Sequence, residues 1–547
     1  MTVDRKRVAI VVGAVALACF VLLFFLFGRS GDLDEFVDLR LGYGYDDTFF
    51  VWREGVRPAD GSGRQIIIGA NGVTGDVSPL SAVTEADLLA SSIIFESLLI
   101  MGQDGYPRGW LAESFSISED GLTYVFMLQD DVFFSDGELL TPRIVAQSFA
   151  EFSRIGVDTV YTAHISRLEG FYDYRMGFVQ AISGIQYEIN SREISFTFTS
   201  ARHDNIFAFL APIINNGVGT GPFVFEVVVG DTIALIVNPR YHKGRPQLDY
   251  VFIRMANATS APIMLENGAI DVFWSDYSEN LLNQVEPIAN TSIGGFGGNN
   301  QGYVGFNLLN GQLANPAVRE ALVLAVDTTL IKDDQFGPFT AGGGTIVPHF
   351  SWLYAQDGGA RRVFDPDRAR NLLQDAGFEE GVSGFFEKDG RKLTFNLYTI
   401  NTQAAFNIGS RLAEMWRDIG VDVAVQTLSF GNMREVMASG EFDMLHLSMG
   451  VNYDFDFSAL SGNNVFLNPF SWEYERASDL ASNINSPCPI EARLAFAEWH
   501  DIYESSFLRL HLERPKRLIF FNPNLRGLEP YSFGRVVWNI HEWELVG

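Results

Sequence analysis

Residues 395–426 read FNLYTINTQAAFNIGSRLAEMWRDIGVDVAVQ. The two ends of this stretch, 395–398 and 421–426, are short runs of apolar and branched side chains that are typical of buried strands. Between them, residues 406–419 carry apolar side chains at helical spacing. A strand, a helix and a second strand in succession form a crossover between parallel strands. The stretch therefore predicts an α/β fold built on a parallel sheet.

Further strands and helices are expected on both sides of this unit. Residues 114–134 alternate in polarity around Asp120-Gly121, which predicts a hairpin because glycine tolerates the positive φ of a tight turn. Thr141-Pro142 and Asp365-Pro366 each place an N-cap residue before a proline at the first helical position. The remaining predictions are helices over 86–101 and 316–326, a helix end at Gly377, and strands at 65–69, 192–199, 223–229, 232–238 and 249–254.

Composition excludes several classes of protein. A chain of 547 residues exceeds the size at which one hydrophobic core stops growing, so several lobes are expected. The net charge of −28 and the lack of a Lys/Arg cluster exclude a nucleic-acid partner. The two cysteines, Cys19 and Cys488, cannot form a cysteine-rich zinc site.

The N-terminus predicts export. Residues 1–7 form a basic tip, and residues 8–27 are uncharged and apolar. A spanning helix needs about 20 such residues, so the length favours a retained membrane anchor with the rest of the chain outside, in the periplasm or at the cell surface. A cleaved signal peptide and a lipoprotein anchored at Cys19 are the alternatives. Residues 28–64 are interpreted as a spacer that partly packs on the body.

Short blocks follow one another in a fixed order along the exported part. They are LAESFSISEDGLTY at 111–124, VFFSDG at 132–137, GTGPF at 219–223, NPRY at 238–241, GAID at 268–271, YVGFN at 303–307, VREAL at 318–322, DPDRA at 365–369 and GEFD at 440–443. This series closely resembles the signature of the family-5 extracellular solute-binding proteins, the oligopeptide-, dipeptide- and nickel-binding components of ABC importers. The resemblance spans about residues 65–540.

The resemblance implies a type II periplasmic-binding-protein-like fold, with two α/β lobes, an extra subdomain and a hinge. The first lobe would comprise residues 65–300 and 512–547, with 84–205 as the inserted subdomain, and the second lobe residues 301–511. The implied function is capture of a peptide-like ligand by hinge closure and delivery to the permease subunits of an importer. No catalysis, cofactor or metal is expected, and the protein is predicted to be monomeric.

Ligand contacts are expected at strand ends and loops that face the cleft between the lobes. Residues 449–456 stand where peptide binders of the family carry an Asp that pairs with the α-amino group of the peptide, and here that position is Asn452. The complete set of candidates is Asn452, Tyr453, Asp454, Asp456, Tyr303, Asn307, Thr399, Asn401 and Trp274. Their structural alternatives are a surface loop at 449–456, hinge-strand packing, turn or strand-end roles, and core packing for Trp274.

Several other functions remain open at the level of sequence. The same fold can bind a non-peptide solute such as a sugar or a nickel chelate, and His446, near the candidate loop, is the histidine to test for nickel. It can also act as a sensor or persist as a degenerate membrane-anchored scaffold. A secreted hydrolase is a further alternative, although the sequence lacks the Gly-x-Ser-x-Gly pattern of a serine nucleophile.

Overall fold

The structure is a computed structural model. It describes residues 49–51, 64–154, 156–342, 345–348, 351–354, 363–451, 455, 457–460, 468–470, 472, 475–531 and 535–546. Helices and strands alternate along most of this length.

The elements up to residue 210 are β1 (Phe49–Val51), β2 (Gln65–Ala70), α1 (Glu85–Ile94), β3 (Leu99–Met101), β4 (Pro107–Gly109), β5 (Ala112–Ile117), β6 (Thr123–Leu128), α2 (Pro142–Phe152), α3 (Thr162–Ile165), α4 (Phe171–Arg175), β7 (Ile185–Tyr187), β8 (Glu193–Thr197) and a 3₁₀ helix at His203–Leu210. Those that follow, up to residue 342, are β9 (Phe223–Val229), β10 (Thr232–Val237), β11 (Tyr250–Met255), α5 (Ala261–Glu266), β12 (Val272–Ser275), α6 (Glu279–Val285), β13 (Ser292–Phe296), β14 (Asn300–Phe306), α7 (Pro316–Leu324), α8 (Thr328–Gln335), a 3₁₀ turn at Gly337–Phe339 and β15 (Thr340–Gly342).

The elements after residue 363 are α9 (Pro366–Asp375), β16 (Glu379–Glu380), β17 (Phe386–Lys388), β18 (Arg391–Lys392), β19 (Thr394–Ile400), α10 (Gln403–Asp418), β20 (Asp422–Leu428), α11 (Phe430–Ser439), β21 (Met444–Gly450), a 3₁₀ turn at Phe457–Leu460, α12 (Glu475–Asn483), α13 (Pro489–Ser505), β22 (Arg509–His511), β23 (Glu513–Pro515), β24 (Arg517–Phe521), β25 (Leu525–Arg526), a 3₁₀ turn at Ile540–Glu542 and β26 (Glu544–Leu545).

The larger sheet has eight strands in the order β1-β13-β24-β12-β2-β11-β10-β9. Its centre is parallel, because β2 pairs in parallel with both β11 and β12. Strand β24 enters from the far end of the chain and pairs antiparallel with β12 and β13. Ile66 and Ile68 of β2 are fully buried, as expected for the middle of a covered parallel sheet.

The second sheet has five strands in the order β20-β19-β21-β14-β22. Strand β19 lies parallel to β20 and β21, and α10 makes the crossover between β19 and β20. The strand–helix–strand unit predicted from residues 395–426 is therefore confirmed. Trp416 of α10 is fully buried, and its indole nitrogen donates to the carbonyl oxygen of Leu322 at 2.8 Å, which fixes the helix against α7.

The chain crosses between the two sheets twice. The outgoing crossing leads from β13 to β14, and the returning one runs through β22 and β23 into β24. Strand β15 pairs with β23 and supports the return. The predicted lobe limits, near residues 300 and 512, fall at these crossings, and the division into lobes itself stays a prediction.

A four-stranded antiparallel sheet, in the order β5-β6-β8-β7, lies within the segment predicted as an inserted subdomain. The predicted hairpin corresponds to β5 and β6, and Gly121 in its turn has φ of +70°. Phe126 and Phe196 from this sheet pack against Phe209, with ring centroids 4.4 and 4.9 Å from it. These rings belong to the same buried cluster as Ile66 and Ile68 of the larger sheet, so the core is continuous between the two sheets.

One expectation needs correction. The helix predicted over residues 86–101 ends at Ile94, because Phe95 adopts an extended backbone and residues 99–101 form β3. The predicted spacer contributes β1, which pairs with β13 at the edge of the larger sheet. The rest of that spacer up to residue 63, the basic tip and the predicted anchor at 8–27 lie outside the described residues. Within the parts of the chain that the structure describes, no helix combines the length and apolar character needed to cross a bilayer.

The GTGPF block at 219–223 yields a first prediction. A Cβ on Gly219 would lie 2.0 Å from the carbonyl oxygen of Ile94, and one on Gly221 would lie 2.2 Å from that of Ile93. Because the obstructing atoms are backbone, Gly219→Ala and Gly221→Ala should each lower the free energy of unfolding by roughly 1–3 kcal/mol. Urea titration measures the loss.

Gly311→Ala is the matched control, since a Cβ there meets no heavy atom within 4 Å. If the variants at 219 and 221 unfold at the same urea concentration as this control, the close approach of helix α1 to the GTGPF block is wrong.

Candidate functional site

The parallel strands of the larger sheet end together at one edge. Strands β2, β11 and β12 run in the same direction, so the residues after Ala70, Met255 and Ser275 meet there. A depression of about 270 Å³ lies at this edge. Its lining includes Asn71, Trp274, Asp276 and, from the start of β24, Arg517.

The second sheet presents an equivalent edge. Strands β19, β20 and β21 are parallel, and their carboxyl ends lie near the point where β14 begins. A cavity of about 510 Å³ opens there. Its walls are 276–280 from the first lobe and 335–336, 402–404 and 448 from the second, and its floor is 298–300 with Pro515 and Arg517 from the crossings.

Both depressions are lined by Asp276 and Arg517, so they adjoin, and together they are here called the interlobe cleft. In open α/β sheets, ligands bind outside the carboxyl ends of the strands. The interlobe cleft lies at the carboxyl ends of two such sheets that face each other across the hinge. It is therefore the candidate binding site.

The cleft is polar and contains charges of both signs. Asp276 and Glu279 are exposed carboxylates on its first-lobe wall. The Arg517 guanidinium lies 3.5 Å from the Asp276 carboxylate and 5.3 Å from the centre of the Phe296 ring. Because Asp276 is three-quarters exposed, this pair contributes little to stability and is free to rearrange around a ligand.

Tyr277 joins the two lobes across this cleft. Its hydroxyl donates to the carbonyl oxygen of Gln335 at 3.1 Å, and its ring lies 5.0 Å from that of Phe336. Gln335 and Phe336 stand at the end of α8 in the second lobe. The contacts of Tyr277 therefore depend on the distance between the two cleft walls.

A second set of contacts joins the inserted subdomain to the second lobe. The backbone nitrogen of Trp352 donates to the carbonyl oxygen of Asp104 at 2.7 Å. The Trp352 ring packs on Tyr106 at 5.4 Å and on His203 at 5.6 Å. The backbone nitrogen of His203 in turn donates to the carbonyl oxygen of Asn485 at 3.1 Å. Residues of the two predicted lobes are thus in direct contact at two places, around Tyr277 and around Trp352.

Three of the predicted ligand residues lie near the strand ends. Trp274 lines the first-lobe part of the cleft, and its side chain is largely buried. Asn401 is exposed and directly precedes the cleft-lining Thr402. Thr399 is fully buried, and its hydroxyl is 3.0 Å from Nδ1 of His446, so it packs behind the wall rather than on it.

Tyr303 and Asn307 lie away from the cleft. Tyr303 is buried, with the Arg509 guanidinium 4.2 Å above its ring. The Asn307 side chain donates to the carbonyl oxygens of Gly440 and Phe442 at 3.0 and 2.7 Å, which fixes the loop before β21. The hydrogen bonds of Asn307 serve the fold at the end of β14 opposite the hinge.

The other predicted ligand residues, Asn452, Tyr453, Asp454 and Asp456, lie outside the described residues. Sequence reasoning missed Tyr277 and Arg517, which have no distinctive motif. A signal existed nonetheless, since Tyr277 closely follows the apolar run 272–274 after GAID, which is typical of a buried strand. Arg517 could not be found in this way, because its strand enters the sheet from the other end of the chain.

Metal-ligating side chains are not gathered in the described part of the chain, where no group of three His, Cys, Asp or Glu residues is placed to hold an ion. Burial lowers the pKa of His446 to about 4, so its imidazole is neutral at physiological pH. This histidine bonds Thr399 and lies under the cleft wall rather than in the cavity lining.

Removal of the Trp352 ring should favour the open form. Trp352→Ala deletes two ring contacts between the lobes, each worth roughly 0.5–1.5 kcal/mol. Small-angle X-ray scattering should therefore show a larger radius of gyration than for the wild type. Trp538→Ala is the matched control, since its ring also makes two aromatic contacts, to Trp110 and Tyr531, without touching the second lobe. Equal radii of gyration for the two variants would refute the role of Trp352 in holding the lobes together.

Acid should weaken the folded state through His203. Burial holds the pKa of His203 at about 4, below the value of about 6.5 in an unfolded chain. The unfolded chain therefore takes up the proton first, and stability falls as the pH drops from 6.5 towards 4. From pH 7 to pH 5 we expect a loss of about 2 kcal/mol from this group, measured by urea unfolding. His203→Gln should show a shallower loss, and an unchanged pH slope would contradict the assignment.

Comparison with known proteins shows which family this chain is related to. Residues 107–464 match the family described as bacterial extracellular solute-binding proteins, family 5 middle. The nickel-binding periplasmic protein of Escherichia coli (strain K12) is 27% identical over 414 residues, which cover 69% of this chain and 75% of that protein. The dipeptide-binding protein of the same organism is 24% identical over 450 residues, or 75% of this chain and 80% of that one.

Solved structures agree on the fold. The unliganded open form of the periplasmic murein tripeptide-binding protein MppA superposes with a TM-score of 0.74 at 15% identity, covering 91% of this chain and 98% of that one. NikZ from Campylobacter jejuni in complex with Ni(L-His) gives a TM-score of 0.63 at 20% identity, with coverages of 88% and 99%. The two-sheet fold and the family expected from the sequence blocks are thus confirmed. Since the family match spans well over half of its length, the chain belongs to the bacterial extracellular solute-binding proteins of family 5.

Proposed function

We propose that this protein captures a peptide-like solute in the interlobe cleft and delivers it to the permease of an ABC importer. Its role as a solute-binding protein follows from the family. The single observation that supports the place of capture is the cavity of about 510 Å³ whose walls come from both lobes. That volume lies within the range of about 300–1,000 Å³ usual for small-ligand sites.

Closure is the means of capture. A ligand that touches both walls stabilises the closed form by its difference in affinity for the two forms. A shift from 1:99 to 99:1 requires a bias of about 5.5 kcal/mol. Tyr277 and Trp352 both join the lobes, and a ligand held between the cleft walls adds its own contacts to theirs.

The chemistry of the cleft favours a ligand with a cationic group. Asp276 and Glu279 stand on one wall, and Asn299 and Asn300 on the floor supply amide groups. A peptide offers an ammonium group for the carboxylates and backbone amides for the side-chain amides. The dipeptide-binding relative supports this choice.

A metal chelate is the second candidate. The Escherichia coli relative is a nickel-binding protein, and the Campylobacter jejuni structure holds Ni(L-His). A chelate brings its own metal ligands, so it does not require a protein site of three ligating side chains. The same cleft would hold it through its outer polar groups.

Export and anchoring belong to this proposal. Residues 8–27 would tether the protein to the cell membrane and leave the two lobes outside, next to the permease. The protein would act as a monomer, with no chemical conversion of its ligand. Binding without turnover distinguishes it from a hydrolase.

The ligand can be identified directly. The exported portion, purified without refolding and then denatured, should release a bound solute that mass spectrometry identifies as a short peptide. Calorimetry with di-, tri- and tetra-alanine should give binding by the ligand-free protein, and the peptides should be recovered intact. Ni(II)–histidine is the competing probe.

The outcomes separate the alternatives. Binding of Ni(II)–histidine without any peptide would favour the chelate, and cleaved peptide would favour a hydrolase. Asp276→Asn should weaken peptide binding, whereas Asp375→Asn, at the outer end of α9, should leave it unchanged. If nothing is released and no probe binds, the protein is a scaffold and the capture proposal fails.

A further inference from the structure

Glu513 occupies an unusual position on the returning crossing. It is the first residue of β23, and only 6% of its side chain is exposed. Its Oε2 atom has no hydrogen-bond partner among the groups that the structure describes. Burial of an unpaired carboxyl group is costly, so a native protein retains one only where a partner arrives or a role requires it.

The side chain points toward the interlobe cleft. Alternate residues of a strand face the same side, so Glu513, Pro515 and Arg517 share one side of the returning crossing. Pro515 and Arg517 line the cleft. Glu513 is not itself part of the cavity lining, so this alternation places it beneath the floor of the cleft.

The neighbouring strand gives the same orientation. A Cβ on Gly302 would lie 2.0 Å from Oε1 of Glu513, so the carboxyl group occupies the space that a side chain at 302 would fill. Gly302 pairs with Ser448, and directly opposed residues of an antiparallel pair point to the same face. Ser448 is exposed and lines the cleft.

A second acceptor without a donor lies at the same floor. The Oδ1 atom of Asn299 is buried and has no hydrogen-bond partner in the described structure, and Asn299 lines the cleft. Two unpaired oxygen acceptors on one floor call for a group that brings N–H donors. An ammonium group has three N–H donors and no acceptor.

The charged and polar groups near Glu513 have partners other than its carboxyl group. Arg514 points to the opposite side of β23 and donates to Oε1 of Gln301 at 2.7 Å and to the carbonyl oxygen of Ile346 at 3.0 Å. On β21, His446 is buried and bonded to Thr399. Arg517 lies beside Asp276, and β15 presents Thr340, whose hydroxyl donates to the carbonyl oxygen of Arg514. Burial raises the pKa of Glu513 to about 7, against a smaller lowering by a hydrogen bond from its own backbone.

We propose that Glu513 accepts the ammonium group of the captured ligand at the base of the interlobe cleft. The inference deepens the proposed function and rests on capture in that cleft. It assigns the recognition of positive charge to the returning crossing, outside the loop at 449–456. The site would select ligands with a free, protonated amine over those in which the amine is acylated.

Proton linkage follows from this pairing. The empty protein carries Glu513 largely protonated below pH 7, and an incoming ammonium favours the ionised form and so lowers its pKa. Binding therefore releases a proton at acidic pH. Affinity should rise with pH up to about 7, by up to about tenfold per pH unit, and then level off.

The test compares trialanine with N-acetyl-trialanine by calorimetry at pH 6.0 and 7.5. The wild type should bind trialanine up to about tenfold more tightly at pH 7.5 than at pH 6.0, and bind the acetylated peptide at least tenfold more weakly. Glu513→Gln, which keeps the shape of the side chain, should lose at least tenfold in trialanine affinity at pH 7.5. It should also lose the pH dependence, which a purely structural role would not remove.

Glu441→Gln is the matched control, since Glu441 is exposed at the far end of the second sheet. If Glu513→Gln binds trialanine like this control and keeps the pH dependence, the role of Glu513 is overturned while peptide capture stands. If the wild type binds neither peptide, peptide capture is overturned. In that case the ligand released from the purified protein tests the role of Glu513. If this ligand has no cationic nitrogen, the role is overturned as well. The role is also overturned if Glu513→Gln retains the ligand as well as the wild type does.

Discussion

The buried guanidinium group of Arg514 ties together the two chain crossings on which the arrangement of the lobes depends. Its side chain is 1% exposed. It donates to the side chain of Gln301 and to the carbonyl oxygen of Asn299 on the outgoing crossing, and to carbonyl oxygens at 345–346 in the second lobe. A buried charge is tolerated only when such partners satisfy it, and removal of one partner is strongly destabilising. The hinge is therefore held by a network whose parts lie more than 160 residues apart in sequence.

Successive side chains of the returning crossing point to opposite sides. Those on one side hold the fold together, and those on the other side face the cleft. The Arg514 side chain finds four acceptors on one side of the strand, whereas Glu513, Pro515 and Arg517 lie on the side of the cleft. Strand geometry allows both arrangements in five successive residues because neighbouring side chains face opposite sides. The hydrogen bonds of Arg514 fix the crossing, and under the proposed role of Glu513 the other side contacts the ligand. A rigid crossing also explains how a cleft can open and close without loss of the floor on which the ligand rests.

Local sequence signals predicted the helices and strands, but the candidate site depends on contacts between residues far apart in the sequence. The Asp-Gly hairpin, the Thr141 and Asp365 caps and the crossover at 395–426 were predictable because each depends on neighbours within a few residues. The ordered blocks then gave the fold, since they mark turns and close backbone approaches such as Gly219 against Ile94. Asn307 illustrates the limit, because its YVGFN block suggested a ligand role while its amide holds the carbonyl oxygens of Gly440 and Phe442. Glu513 lies in an ordinary Leu-Glu-Arg-Pro run, and only the folded structure reveals that its Oε2 atom is buried without a hydrogen-bond partner among the described groups.

Family 5 keeps one fold at identities between 15% and 27%, although its members bind solutes as different as dipeptides and nickel complexes. The arrangement of this cleft suggests how that is possible. The sheets and the Arg514 network require backbone partners, which survive extensive change of side chains. The cleft draws single residues from several strand ends, such as Trp274, Tyr277 and Arg517, so each can change without disturbing the others. Recognition of a ligand can accordingly change at single residues while the sheets are kept.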